Sequence, residues 1–203
     1  LFRVSYTGTE STAPADLHDA DGSEQRALRH KLEAFHGHED ARAVDAAWPL
    51  LASEDRFMRY AARIAIESQP IAQWKARALS ETNPTAALTA LLSVARLGGA
   101  SSQGELFKAL AKFPHAQLKD EAQQLEKLRV IEVAISRGGK PTAELAASLI
   151  AELSPLYPAA SVSLNRELCQ ILLALDAPDT IARALKLLAA RSEEHTSELQ
   201  SPC

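Results

Sequence analysis

Aromatic side chains are scarce in this sequence, at 5% of its 203 residues, and there are only two cysteines, Cys169 and Cys203. Two thiols that far apart make no disulfide framework, and no C-x-x-C pair is present. No apolar run is long enough to cross a bilayer, because Arg, Lys, Glu or Gln interrupts each one at helical spacing. Basic residues form no block and the formal net charge is −4, so the footprint of a phosphate-backbone binder is missing and no nucleic-acid partner is expected. The phosphate-cradling and nucleophile motifs G-x-x-x-x-G-K, G-x-G-x-x-G, G-x-S-x-G and H-E-x-x-H do not occur.

What is abundant is alanine and leucine. Hydrophobic residues reach 46% and charged residues 24%, enough to bury a core. Alanine and leucine lose little side-chain freedom in a helix, so this mixture predicts an all-α chain. Glycine and proline fall mostly between the apolar runs.

The chain divides by periodicity. Residues 1–8 alternate, with Phe2, Val4 and Tyr6 on one side, and predict a short strand. Residues 9–23 are polar, with Pro14, Asp16, Asp19, Asp21 and Gly22, and read as a linker. From residue 24 to 190 the period is helical. Ser53-Glu54-Asp55 and Asn83-Pro84 supply helix starts, and Gly37, Gly98-Gly99 and Gly138-Gly139 supply stops. The resulting helices are amphipathic and short, so each needs neighbours to bury its apolar face. Residues 191–203 break the pattern. Arg191–Ser201 reads RSEEHTSELQS, which is what a common sequencing adapter encodes in one frame, and this segment is set aside from the fold.

Candidate chemistry is sparse. His36, His38 and Asp40 are metal-ligating types at close spacing, but a solvated helix end accounts for them without a metal. Glu39-Asp40 and Glu54-Asp55 precede helices, where acids favour the positive end of the helix dipole. Cys169 has no histidine at motif spacing and falls in an apolar slot, which argues against a nucleophile. Trp48, Trp74, Phe57 and Tyr60 could form an exposed recognition patch, but at helical spacing they are expected in the core. No catalytic, cofactor-binding or metal-ligating residue is therefore assigned.

One segment carries a repeat signature. Asp55 to Ile66 reads DRFMRYAARIAI and resembles the second helix of a HEAT repeat, D-x-x-V-R-x-x-A-x-x-A-L. Asp55, Arg59, Ala62 and Ala65 match directly, and Met58 and Ile66 stand for Val and Leu. Asp55 is placed to cap the helix, Ala62 and Ala65 let a neighbouring helix approach, and Arg59 points towards the inter-helix loops. Asn83, Ala86, Ala90 and Val94 repeat the pattern with Ala87 in place of the arginine. Arg166, Cys169, Leu172 and Leu173 fall in the Arg59, Ala62, Ala65 and Ile66 slots. The expectation is a HEAT-like α-solenoid of antiparallel helix pairs, with an unrelated helical bundle as the alternative.

The opening LFRVSYTGTESTAPADL is similar to the end of a β-propeller of the quinoprotein sugar-dehydrogenase kind. Asp45–Glu67, Pro84–Gly98 and Leu164–Asp179 resemble the helical stretches that follow such propellers in large exported bacterial proteins, often ahead of a c-type cytochrome domain. The resemblance implies that residues 1–8 are the last strand of a truncated propeller and that the parent is a redox-active, periplasmic or exported protein. A quinone and haem c would belong to that parent; no C-x-x-C-H motif and no complete propeller blade lies in this chain. The implied role is a non-catalytic scaffold or protein-interaction segment. A free-standing HEAT adaptor and an enzyme with a site in the concave face remain the rival readings.

Overall fold

A computed structural model describes residues 2–14 and 21–199, with side chains to Ala189. Leu1, residues 15–20 of the expected linker and residues 200–203, with Cys203, lie outside the described residues. Among the described residues there are α-helices and short 3₁₀ turns and no strand. The helices are α1 (Ser23–Glu33), α2 (Ala43–Ala47), α3 (Arg56–Glu67), α4 (Lys75–Ser80), α5 (Pro84–Leu97), α6 (Gln103–Leu110), α7 (Glu121–Gly138), α8 (Ala143–Leu153), α9 (Val162–Ala174) and α10 (Thr180–Leu199).

The predicted strand does not form. Residues 2–8 have no regular structure, and Phe2, Val4 and Tyr6 are exposed. A strand needs a partner for its backbone groups, and no described segment pairs with this one. The last helix also departs from expectation: α10 continues past Ala190 to Leu199. Glu193, Glu194, Glu198 and Leu199 are good helix formers, so the local sequence can carry the helix onward once it has started.

Side-chain caps decide where the longer helices begin. The Asp55 carboxylate accepts from the Phe57 amide at 2.8 Å, and the Asn83 side chain from the Ala86 amide at 3.0 Å. Asp120 accepts from Gln123 N at 3.0 Å, and Ser161 from Leu164 N at 3.3 Å. Pro84, at the first helical position, loses no hydrogen bond there. Asp55→Ala is expected to lower stability by about 1 kcal/mol in a urea titration, because the Phe57 amide loses its acceptor. An unchanged midpoint would mean the cap contributes nothing.

Four helices form one packed series, the inner row. α3, α5, α7 and α9 each pack on the next in the series, and α5 against α7 is the most extensive of these contacts. The helices between them in sequence pack against this series: α4 on α5 and α6, α6 on α7, and α8 on α9. Small residues set the spacing, with Ala61, Ala62 and Ala65 of α3 and Ala86, Ala87 and Ala90 of α5 all buried.

The inner row shares one burial register. In α3, capped by Asp55, the buried positions include Ala62, Ala65 and Ile66. The same distances from Asn83 reach Ala90, Ser93 and Val94; from Asp120, Lys127, Val130 and Ile131; and from Ser161, Leu168, Ile171 and Leu172. All of these are buried. Distance from the cap and inward face thus coincide in all four helices, whatever the side chain in the slot.

The two tryptophans are core, as their spacing predicts. Trp74 is 0% exposed and donates from Nε1 to Gln69 O at 3.2 Å. Trp48 donates to Glu81 Oε2 at 2.7 Å, and the Arg77 guanidinium covers its ring at 4.3 Å. Phe57 and Tyr60 are the opposite case, at 60% and 59% exposure. Both fall outside the arc of α3 that carries Met58, Ala61, Ala62, Ala65 and Ile66, so helical geometry leaves them in solvent.

Candidate functional site: an arginine-lined cleft on the inner row

One arc of α3 carries Arg56, Arg59, Tyr60 and Arg63, spaced so that all four stand on one side of the helix. Packing α3 beside α5 and α7 brings this arc against Leu88, Thr89 and Leu92 and against Glu126 and Arg129. Together they line an open cleft of about 220 Å³. The floor is apolar and the rim is basic.

Each basic group is held differently. Arg59 donates to Ser53 O at 2.7 Å and Glu54 O at 3.1 Å, and pairs with Glu126 at 2.9 Å. It thus ties the start of α3 to α7, bonding loop carbonyls as the sequence predicted, with a glutamate of α7 as its ionic partner. Burial raises the Glu126 carboxyl above the usual range, against the opposing pull of Arg59. Arg63 is buried, pairs with Glu67 and lies over the Tyr60 ring at 5.2 Å. Glu67 also receives Arg96 of α5 at 3.0 Å. Arg129 pairs with Glu132 at 2.7 Å on the exposed side of α7. Arg56 has no ion pair among the described residues; its guanidinium rests over the Phe57 ring at 5.2 Å.

The remaining signature residues are placed as follows. Met58, Ala62, Ala65 and Ile66 are buried in the core. Asp55 is exposed and caps α3. Arg166 is exposed, 4.0 Å from Glu167 and outside the cleft. Cys169 is half-buried at the edge of the core rather than inside it. Burial pushes the neighbouring Tyr157 phenol up to about 12, with the Cys169 thiol adding to the shift. The reason lies in the register of α9: counted from its Ser161 cap, the small-residue slot is Leu168, one place earlier than expected. The slot matching Arg59 then holds Asn165, whose side-chain amide bonds both backbone groups of Ala159 at 2.6 Å.

The histidine-rich loop is engaged in packing. His36 Nε2 donates to Ala61 O at 2.8 Å, and Arg42 holds Asp40 through paired hydrogen bonds that keep its carboxyl at about 2. Gln69, itself buried, accepts from Asp40 N and donates to His38 O and Ala65 O. Among the described residues no group of three or more His, Cys, Asp or Glu side chains is placed to hold a metal ion.

A second cavity of about 310 Å³ opens between α6, α7 and α8, lined in part by Lys127 and Glu152. Lys127 is 1% exposed; it donates to Phe113 O at 2.9 Å and pairs with Glu152, whose carboxylate also accepts from His115 N at 2.9 Å. Burial lowers the Lys127 ammonium and the His115 imidazole alike. With its ammonium committed to these acceptors, Lys127 fastens the α6–α7 connection to α8.

Nothing in the sequence alone marks Arg56, Tyr60, Arg63, Arg96 and Arg129 as one group. Spacing of three and four residues marks the α3 members as one face, but Arg96 and Arg129 join them only through helix packing. By fold the chain is an all-α protein, and no described helix is long and apolar enough to cross a membrane. No protein-family model, curated protein or solved structure matches it.

Proposed function

We propose that this chain is a HEAT-like α-solenoid segment that acts as a non-catalytic scaffold, spacing neighbouring domains or presenting a surface to a protein partner. The shared burial register of α3, α5, α7 and α9, counted from their caps, is the observation that carries the reading. Four capped helices with one inward face are what a stacked array of helix pairs requires. The unequal separations of Asp55, Asn83, Asp120 and Ser161 make the array a degenerate one. Ile181, Leu185 and Leu188 of α10 are exposed on one stripe, a surface on which a further helix pair can stack.

By the resemblance of its opening segment and helical phrases, the scaffold belongs to a larger exported, dehydrogenase-like protein whose quinone and haem c sites lie in other domains. The complete reading frame checks this context: propeller blades before the segment and a C-x-x-C-H motif after it support it, and their absence leaves a free-standing adaptor.

Native-state hydrogen exchange tests the solenoid itself. In a quasi-one-dimensional array, each pair depends on its neighbours alone, so protection should grade from a maximum in α5 and α7 towards α1 and α10. Uniform protection lost in one global step would indicate a single-core bundle and sink the solenoid reading.

A further inference from the structure

We infer that the cleft between α3, α5 and α7 receives an extended acidic peptide segment of a protein partner. This assignment rests on the scaffold reading and specifies what the inner row binds.

The chain as a whole is acidic, at −4, yet Arg56, Arg59, Arg63 and Arg129 line this cleft against one acidic lining residue, Glu126, while Glu67 and Glu132 pair with Arg63 and Arg129 from beyond the lining. The positive field is therefore local and directs an anionic ligand to this face.

Arg59 and Arg63 are committed to half-buried or buried glutamates and shape the cleft. Arg56 keeps its ion-pairing capacity. Arg129, with 61% of its side chain exposed, holds Glu132 only as a surface pair, which contributes little and exchanges readily for an incoming carboxylate. Guanidinium groups bind carboxylates through two parallel hydrogen bonds, so these two arginines form the recognition pair.

The apolar surface the cleft offers is the partly buried Leu92 beside the exposed Tyr60 ring, with Leu88 at 1% exposure behind it. A floor of this kind takes an aliphatic side chain, with tyrosine as an anchor that sacrifices little freedom. The occupant is thus a segment with two acidic residues flanking an apolar one. A nucleic-acid strand suits the cleft less well, because Glu126, Glu67 and Glu132 interrupt the arginines and repel an unbroken run of phosphates.

Fluorescence anisotropy with the intact chain tests the assignment. The probe is a fluorescein-labelled peptide of Glu and Asp residues around a central Leu; controls are the same peptide with Lys for every acid and a labelled oligo-dT. The acidic probe should bind saturably and weaken as salt rises. The Arg56→Ala/Arg129→Ala double variant should lose about tenfold or more in affinity, while Arg166→Ala on α9 should bind as the parent does. Single variants Arg56→Gln and Arg129→Gln provide the same comparison if the double variant melts early. Failure of the parent chain to bind, equal binding by all variants, or equal binding of oligo-dT would each overturn the inference. Hydrogen exchange on the same sample separates the two readings. Graded protection without peptide binding removes the ligand alone, and uniform protection removes the solenoid whatever binds.

Discussion

Trp74→Ala is expected to destabilise the chain by about 4 kcal/mol, within the usual range for deleting a fully buried aromatic side chain. The indole is 0% exposed, just ahead of α4, and its loss leaves a cavity that surrounding helices close only in part. The polar consequence adds to this. Gln69 O loses the indole N–H, and Gln69 is the residue whose side chain holds Asp40 N, His38 O and Ala65 O. Trp74→Phe keeps most of the apolar volume and should retain a large part of the stability, so the difference between the two variants separates cavity from hydrogen bond. Urea titration followed by circular dichroism reads both, with Trp48 left as the fluorescent reporter. A Trp74→Ala midpoint equal to that of the parent would refute the burial on which this rests.

Lys127→Met should cost about 3 kcal/mol. Met matches the length of the lysine stem, so the expected loss is electrostatic: Glu152 is left with a carboxylate facing an apolar slot, and Phe113 O loses its donor. Glu152 is partly exposed, which keeps the figure at the lower end for a broken buried pair. The companion variant Lys127→Met/Glu152→Gln removes both charges while leaving an amide oxygen to accept from His115 N, and should recover a substantial part of the loss. No recovery would mean that the pair matters for packing rather than charge.

The same cluster sets an acid dependence. His115 is lowered from 6.5, chiefly by burial and next by the Lys127 charge, with Glu152 opposing. A base whose folded value is depressed contributes stability that is complete above its unfolded value. That contribution is lost as pH falls from about 6.5 through the lowered value, because the unfolded chain takes up the proton first. Lys127→Met removes one of the causes, so the variant should lose less stability over that window than the parent does.

These residues also mark where local sequence stops being informative. Helix existence was legible from the alternation of Ala-Leu runs with Gly and Pro, and helix starts from Asp55 and Asn83, because a cap acts within three residues of itself. The Arg59 reach to loop carbonyls was legible for the same reason. Lys127 was invisible as a core residue. Its slot is the one that holds Ala62, Ala90 and Leu168 in the other inner helices, and no local rule places an ammonium there. Only the approach of α8 supplies Glu152 and makes the burial tolerable. Phe57 and Tyr60 show the reverse. Helical spacing suggested core, but the rotation of α3, fixed by the packing of Ala61, Ala62 and Ala65 on its neighbours, left both rings outside.

The arginine cleft divides along the same line. Arg56, Arg59, Tyr60 and Arg63 belong to one helix, and their common face follows from the helical period alone. Glu126 and Arg129 lie dozens of residues away, and their meeting with α3 depends on how α5 and α7 stack. In α9, likewise, the cap at Ser161 set the register and moved Cys169 to the edge of the core, a shift of one residue that turns a helix face by about 100°. Composition and caps act over a few residues and so determine an all-helical chain and where its longer helices begin. Which faces meet depends on contacts between distant segments, so only the tertiary structure decided where Lys127 finds its counter-charge and where the arginines gather.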